Sequence, residues 1–252
     1  MNTKYANVDE YLIELSHRVK EILANNIVGI CLYGSLTYDD FVPGRSDIDL
    51  LVIVKESVAH EQFKKLQEMH QELERLFPAW TGRVECSYTP QAMFSSTVPP
   101  GDRPYWGEGE WYMATYGNEW IINNYLLQEH GIALYGSPFS SICPRLTIQD
   151  VQEACKRDLV KEWKPKLYDD KWLENPHYQS YLVLNLCRIL HTIENAKASS
   201  KNVSAAWVIE KYPQWKELIT IALAWKYGQE MNMNQQAKEF LQFVIKVTQN
   251  ES

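Results

Sequence analysis

The stretch that decides the fold runs from Leu32-Tyr33-Gly34-Ser35, through a loop, to Ser46-Asp47-Ile48-Asp49-Leu50-Leu51-Val52. Each end belongs to a short apolar run, residues 27–33 and 48–54, and such runs are typical of buried strands. The intervening residues 37–46 contain Pro43 and Gly44 and are too many for a tight hairpin. The sequence therefore predicts two core strands joined by an irregular loop.

Two carboxylates stand at the start of the second predicted strand. Asp47 and Asp49 are two residues apart, and side chains with this spacing point to the same face of a sheet. Like charges this close repel each other unless a hard cation lies between them, and Mg²⁺ accepts such oxygen ligands together with water and substrate phosphates. Gly34-Ser35 opens a turn in which backbone N–H groups can approach a phosphate. The pattern predicts a site for Mg²⁺ and a phosphate-bearing ligand.

A third acidic residue lies on the next predicted strand, residues 84–88. Glu85 stands between the apolar residues Val84 and Cys86. A charge on a core strand is costly to bury unless it binds a cation or takes part in catalysis. We therefore expect Glu85 to belong to the same site as the two aspartates.

Helical periodicity dominates the rest of the chain. It predicts helices at residues 8–24, 58–77, 147–161, 178–196, 201–211, 213–228 and 234–248. Residues 95–109 hold three of the eleven prolines and three of the eleven glycines, so we expect an irregular loop there. Because no strand is predicted after residue 136, the sequence indicates an α/β domain with a mixed sheet, residues 1–143, and an all-α helical bundle domain, residues 144–252.

Composition and charge exclude several classes of protein. The net charge of −7 argues against a chain that coats nucleic acid. No apolar run approaches the roughly 20 residues that span a bilayer, and the N-terminus lacks the features of a presequence, so we expect a cytoplasmic protein. The five cysteines are widely spaced without a C-x-x-C pair, and we interpret them as buried thiols. Residues 1–135 hold 10 Lys and Arg against 19 Asp and Glu. This acidic excess indicates either a surface that attracts cations or ordinary solvent-exposed charges.

The Gly-Ser turn, the Asp-x-Asp strand and the later third carboxylate resemble the nucleotidyltransferase superfamily related to DNA polymerase β. More narrowly, these motifs, Gly109-Glu110-Trp111 and the C-terminal helices resemble the aminoglycoside (3″)(9) adenylyltransferases, which inactivate streptomycin and spectinomycin. The resemblance covers nearly the whole chain. It implies a nucleotidyltransferase domain followed by a helical domain, with ATP, Mg²⁺ and the drug held between them.

The resemblance also implies roles for particular residues. The metal ligands fall on Asp47, Asp49 and Glu85, and Glu85 is in addition the catalytic base and a drug contact. The ATP contacts fall on Gly34, Ser35, Ser46, Asp47, Arg188, Lys201 and Tyr227. The other drug contacts are Trp111, Glu174, Tyr178 and Tyr181. Residues 163–181, which include the last three, depart from the family pattern, because the acidic pair expected just before the Arg188 helix is not cleanly present there.

Taken by themselves, the C-terminal residues leave alternatives open. Arg188 lies on a polar stripe of a mostly apolar helix, which indicates either a cleft or a salt bridge at a domain interface. Lys201 opens a helix, where the helix dipole favours a nearby anion, but a surface lysine is also compatible with this position. Aromatic residues such as Trp111 and Tyr227 are more often part of a core than of a site.

The predicted activity is a Mg²⁺-dependent transfer of AMP from ATP to a hydroxyl group of streptomycin, spectinomycin or both, with release of pyrophosphate. Three alternatives remain open: transfer to another antibiotic class, transfer to a protein partner, and a nucleotide-binding module without catalysis. We expect ATP and an aminoglycoside or aminocyclitol antibiotic as partners, no nucleic acid or membrane, and a monomer.

Overall fold

A computed structural model describes residues 3–38, 40–44, 46–117, 119–226 and 228–249. The chain divides into two compact units. The first unit comprises Met1–Tyr116 and Leu126–Arg145, and the second comprises Gly117–Tyr125 and Leu146–Ser252. A short segment of the second unit is thus inserted into the sequence of the first. The domain limits 1–143 and 144–252 remain a proposal based on the sequence.

The first part of the chain contains three α-helices and six strands within the residues that the structure describes. Their order is α1 (Ala6–Leu23), β1 (Ile27–Tyr33), β2 (Ile48–Val54), α2 (His60–Leu76), β3 (Val84–Pro90), β4 (Asp102–Gly107), β5 (Glu110–Thr115), α3 (Glu119–His130) and β6 (Ile132–Tyr135). The strands predicted at residues 27–33 and 48–54 are confirmed, and the third predicted strand extends two residues further than expected.

The strands form one mixed sheet in the order β5-β4-β3-β2-β1-β6. β2 and β3 run parallel, and the other neighbouring strands are antiparallel. A parallel pair needs a crossover connection, and α2 lies in that connection between β2 and β3. β4 and β5 are joined by Glu108 and Gly109, whose φ angles of 55° and 78° are of the kind that tight hairpin turns require. The predicted α/β unit with a mixed sheet is therefore confirmed.

The prediction of an irregular loop at residues 95–109 was wrong for its second half, which forms β4. Pro104 and the flanking glycines obscured the strand, because proline lacks the N–H group that a central strand normally uses. Pairing between β4 and β3 involves Tyr105 and Trp106 only, so Pro104 lies beyond the paired positions and its missing N–H group leaves no bond to β3 unmade.

The two faces of the sheet have different surroundings. One face packs against α1 and α2 in a buried core that includes Leu15, Leu32, Leu50, Leu66 and Cys86. Burial of each large apolar side chain contributes roughly 1.5–3 kcal/mol, so this core stabilises the sheet. Because successive side chains alternate across a strand, the residues next to these in sequence lie on the other face.

The second unit is helical. Its elements after α3 are α4 (Ile148–Asp158), α5 (Asp170–Leu173), α6 (Pro176–Asn195), α7 (Lys201–Lys211), α8 (Lys216–Ala224) and α9 (Asn234–Gln249). The side chains of Thr147, Asn175 and Ser200 accept hydrogen bonds from backbone N–H groups at the starts of α4, α6 and α7, as N-caps do. α6 supplies much of the core, including Leu182, Leu186 and Ile189. The predicted helical C-terminal region is thus confirmed.

Two further expectations concern the chain as a whole. Within the ranges that the structure describes, every helix is too short or too polar to cross a membrane. All five cysteines are buried free thiols, as the sequence predicted.

Candidate functional site

Asp49 and Glu85 are neighbours across the parallel strands β2 and β3. The register pairs Asp49 with Glu85, between the buried pairs Ile48–Val84 and Leu50–Cys86. Both side chains are half-buried on the face of the sheet away from α1 and α2. Asp47 precedes Asp49 by two residues and is also partly exposed. The structure therefore places the three predicted carboxylates at the start of two adjacent central strands.

The donor atoms at this position suit a hard cation. Within the described ranges, no group of three or more His, Cys, Asp or Glu side chains could hold a metal ion by itself. Mg²⁺ does not need such a cage, since one or two carboxylates suffice when water and substrate phosphates supply the remaining oxygens. Asp47 and Asp49 offer oxygen ligands of this kind and therefore fit Mg²⁺ better than a soft metal.

Gly34 determines the space beside Asp49. β1 ends at Tyr33, which pairs with Asp49, and Gly34 follows with a φ angle of 71°. A Cβ atom at position 34 would overlap Oδ2 of Asp49 and would lie 2.7 Å from its Cγ atom. Glycine allows both the left-handed backbone and the close approach of the carboxylate. Ser35 follows in the short helical turn Gly34–Thr37, so the predicted phosphate contacts begin directly beside Asp49.

A cation that the sequence analysis missed lies beside Asp47. The Nε atom of Arg83 is 3.9 Å from Oδ1 of Asp47, and the same guanidinium donates a hydrogen bond to the carbonyl oxygen of Ser46. The hydroxyl oxygen of Ser46 accepts a hydrogen bond of 3.0 Å from the backbone N–H group of Val42. Arg83 thus connects the loop before β2 to the start of β3 and offsets part of the repulsion between the carboxylates.

Tyrosines extend the face of the sheet that carries Glu85. On this face Tyr105 of β4 pairs with Tyr112 of β5, and Tyr33 of β1 pairs with Asp49. Burial raises the pKa of Tyr33 well above its usual value, and the charges of Asp49 and Glu85 add to this effect. Burial likewise raises the pKa of Tyr105, with the charge of Glu85 as the next largest cause. Both hydroxyl groups therefore stay protonated at neutral pH and can donate hydrogen bonds.

Arg103 is a buried cation on the same face. Only 8% of its surface is exposed, and its guanidinium carbon lies 3.8 Å from the centre of the Tyr116 ring. Its Nε atom donates a hydrogen bond of 3.4 Å to the Ser87 hydroxyl, whereas its Nη1 atom has no hydrogen-bond partner within the described part of the chain. A positive charge is therefore held close to the acidic part of the sheet.

Trp111 lies on the opposite face of the sheet. Its ring centre is 4.9 Å from that of Phe63 on α2 and 5.3 Å from that of Tyr88 on β3. The next residue, Tyr112, is 42% exposed and lies on the Glu85 face instead. The structure therefore does not bring Trp111 together with the carboxylates, and its contact with a drug stays a prediction that this geometry does not support.

In the second unit, Arg188 belongs to a charged cluster around Asp158. Asp158 is 7% exposed and accepts a hydrogen bond of 2.7 Å from Nε1 of Trp163. Burial raises the pKa of Asp158 to about 7, against the opposing effects of the Trp163 hydrogen bond and of the positive charge on Arg188. This buried acid, which the sequence analysis missed, makes Arg188 part of a network within its own unit.

Aromatic rings surround the start of α6. The Nζ atom of Lys201, the first residue of α7, lies 5.2 Å from the centre of the Tyr181 ring. The Tyr181 ring centre is in turn 5.8 Å from that of Trp163, and Tyr178 stacks on Trp172 at 4.7 Å. The structure thus brings Lys201 and Tyr181 together, with Tyr178 nearby on the same helix.

Two predicted site residues, Glu174 and Tyr227, remain to be placed. Glu174 is exposed at the end of α5, and Tyr227 lies outside the described residues. The residues that sequence reasoning missed are Tyr33, Arg83, Arg103, Tyr105, Tyr112 and Asp158. For Tyr33 and Arg83, the available signal was the alternation of side chains at the predicted strands 27–33 and 84–88. Arg103, Tyr105 and Tyr112 lie on β4 and β5, which were not predicted.

Comparison with known proteins gives consistent results for both parts of the chain. Residues 12–95 match the family model of the nucleotidyltransferase domain, and residues 149–250 match that of the aminoglycoside adenylyltransferase C-terminal domain. A spectinomycin 9-adenylyltransferase of Staphylococcus aureus is 26% identical over 81% of this chain and 78% of its own length. An aminoglycoside (3'') (9) adenylyltransferase of Klebsiella pneumoniae is 25% identical over 95% of this chain and 93% of its own length.

A solved structure is similar over nearly the whole chain. It is the crystal structure of a spectinomycin adenyltransferase from Enterococcus faecialis with ATP and spectinomycin. The TM-score is 0.74 at 17% sequence identity, and the match covers 96% of this chain and 99% of the other. At this identity the likeness shows the fold.

Proposed function

Because the chain belongs to the aminoglycoside adenylyltransferase family, we propose that it transfers AMP from ATP to a hydroxyl group of an aminocyclitol antibiotic, with spectinomycin as the expected substrate. The proposal extends to Mg²⁺ as the metal and pyrophosphate as the second product. ATP is a cytoplasmic metabolite, so we place the reaction in the cytoplasm.

The observation that carries this proposal is the pairing of Asp49 with Glu85 beside Gly34. Two half-buried carboxylates side by side on adjacent strands can serve two different purposes, one as a metal ligand and the other as a base. The space that Gly34 leaves beside Asp49 admits a closely approaching ligand, and the backbone N–H groups of the following turn suit a phosphate.

The reaction consists of a proton transfer and an adenylyl transfer. When bound, Mg²⁺ neutralises charge on the phosphates and makes the α-phosphorus more electrophilic. Glu85 accepts the proton of the drug hydroxyl, the freed oxygen forms a bond to the α-phosphorus, and the bond from that phosphorus to the bridging oxygen breaks, releasing pyrophosphate. Asp47 and Asp49 would hold the metal, and Ser35 and Ser46 would orient the triphosphate.

Residues of the second unit enter the proposal through the family resemblance. Arg188 and Lys201 would neutralise phosphate charge, and Tyr178 and Tyr181 would contact the drug. The cation–π contact between Lys201 and Tyr181 supports a shared site for these two residues.

The choice of drug follows from the relatives. Relatives from Staphylococcus aureus, Campylobacter jejuni and Enterococcus faecalis are named spectinomycin 9-adenylyltransferases.

The test is incubation with ATP, Mg²⁺ and a panel of spectinomycin, streptomycin, other aminoglycosides and a lincosamide, followed by mass spectrometry. A gain of one adenylyl group on spectinomycin is expected. Glu85→Gln keeps the shape of the side chain but cannot take the proton, so transfer should fall by about 10² or more.

Glu68→Gln, an exposed change on α2, is the matched control and should leave transfer unchanged. If no drug gains mass while the folded chain still binds ATP, the nucleotide-binding module becomes the better description. Full transfer by a folded Glu85→Gln variant would remove Glu85 from the role of base.

A further inference from the structure

The Tyr105 ring lies directly beside the strand position opposite Glu85. β3 and β4 pair Cys86 with Trp106 and Ser87 with Tyr105. Continuing this register places Gly107 opposite Glu85. A Cβ atom at position 107 would overlap Cε1 of Tyr105 and would lie 3.0 Å from its hydroxyl oxygen. The ring therefore leans across Gly107 toward the carboxylate.

Other contacts fix the ring in this orientation. The Tyr112 ring meets it edge-on, with centres 5.5 Å apart and planes at 76°. The guanidinium carbon of Arg103 lies 4.8 Å from the centre of the Tyr105 ring. Arg103 is itself held by the ring of Tyr116 and the hydroxyl of Ser87. Tyr112 and Arg103 thus hold the Tyr105 ring in place.

The Tyr105 hydroxyl oxygen, 3.0 Å from where a Cβ atom of residue 107 would lie, is thus placed at the strand position that faces Glu85. In a hydrogen bond between these two groups, the phenol O–H donates and the carboxylate accepts. A carboxylate has two oxygens, so one of them can be fixed by Tyr105 while the other stays available to accept a proton. A base held in this way does not have to be oriented anew in each reaction cycle.

We propose that Tyr105 is a positioning residue that orients Glu85 toward the drug hydroxyl, an inference that rests on the proposed function. Tyr105 would act through the base and would not take part in the chemical step itself. Gly107 belongs to the same device, because its lack of a side chain is what allows the ring to reach Glu85.

The first test is Tyr105→Phe, which removes the hydroxyl and keeps the ring. A hydrogen bond to a charged group contributes enough that its loss lowers kcat about tenfold or more. Because the variant changes the orientation of the base and leaves the ATP contacts in place, KM for ATP should stay within about twofold of the unmodified protein. A structural role alone would lower the melting temperature and leave kcat of the folded protein unchanged.

Tyr88→Phe is the matched control. Tyr88 is on β3, on the opposite face, and its hydroxyl is 2.8 Å from Nε2 of His70 in the core. This variant should lower the melting temperature without lowering kcat. A second variant, Gly107→Ala, should repeat the kcat loss of Tyr105→Phe, because Gly107 has an ordinary negative φ and its added methyl group meets the Tyr105 ring.

A melting cycle with Tyr105→Phe, Glu85→Ala and the double variant tests the contact without any substrate. If the two side chains interact, the melting shift of Tyr105→Phe will be smaller in the Glu85→Ala protein than in the unmodified protein. Additive shifts would overturn the inference whatever the activity. Coupled shifts with an unchanged kcat would also overturn it, since the contact would then be structural. Absence of transfer by the unmodified chain would instead refute the proposed function, and with it the positioning role, while the contact itself would still have been measured.

Discussion

Replacing Gly34 by alanine should separate the stability of the fold from the chemistry of the site. The added Cβ atom would lie 2.7 Å from Cγ of Asp49 and would overlap Oδ2. Ordinary contact between carbon atoms needs roughly 3.5 Å, so the carboxylate must withdraw by about 1 Å. A displacement of about 1 Å in a reacting group can cost about 10² in rate, and we expect a loss of this size in kcat/KM.

The backbone makes a separate contribution. Gly34 has a φ angle of 71°, and an alanine in the left-handed region costs about 1–2 kcal/mol in the free energy of unfolding. Gly82 is the matched control, because its φ angle is 67° and an added Cβ atom would meet its nearest neighbour, the carbonyl carbon of Glu108, at an ordinary 3.9 Å. Gly82→Ala should therefore show the loss in stability without the loss in activity.

The measurement combines denaturant unfolding with initial rates of transfer over a range of Mg²⁺ concentrations. Both variants should unfold at lower denaturant concentration, and only Gly34→Ala should lose activity and require more Mg²⁺. If Gly34→Ala retained full activity at the same Mg²⁺ concentration, Asp49 would not be in the position that the reasoning requires. If Gly82→Ala lost as much activity as Gly34→Ala, the backbone and not the carboxylate would be responsible.

Two further predictions concern the second unit. Burial raises the pKa of Asp158 to about 7 in the folded chain, while the unfolded value is about 4, so its contribution to the free energy of unfolding should fall by no more than about 4 kcal/mol as the pH rises from 4 to 7. Asp158→Asn should remove this part of the pH dependence, measured by urea unfolding at several pH values. An identical pH profile for the variant and the unmodified protein would contradict the assignment. Lys201→Ala should weaken ATP binding about tenfold in calorimetric titration, because it removes a charge predicted to face phosphate, and it should leave the Mg²⁺ dependence of the activity intact. Unchanged ATP affinity and turnover would show that Lys201 is an ordinary surface lysine.

The central strands and the carboxylates were predictable because both depend on local pattern. The apolar runs of β1 and β2 are bounded by turn residues, and the spacing of Asp47 and Asp49 defines a face by itself. Nothing in the sequence shows that Asp49 and Glu85 share a register, since α2 and its connections separate the two strands. That pairing depends on how the whole unit packs.

β4 and β5 were not predictable in the same way. Pro104 and three nearby glycines are typical of a loop, and only the pairing between the two strands overrides this preference. Because these strands were not predicted, the alternation of side chains could not show that Tyr112, and not Trp111, lies on the face that carries Glu85. The Gly-Glu-Trp resemblance therefore led to Trp111 as the predicted drug contact. Asp158 was missed for another reason: it follows Val151, Ala154 and Cys155 on the buried face of α4 at helical spacing, but a charged residue at such a position was not taken for part of the core.

The position of β6 at the edge of the sheet has a consequence for the synthesis of the chain. β1 is complete at residue 33, but its partner β6 begins only at Ile132. A ribosome adds about 5–20 residues per second, so this edge of β1 stays unpaired for roughly 5–20 s after β1 has been made. An unpaired strand edge is a template for pairing with other chains. The strands that carry Asp49 and Glu85 can therefore assemble early, while the nascent chain still exposes one edge of its sheet to its neighbours on the polysome.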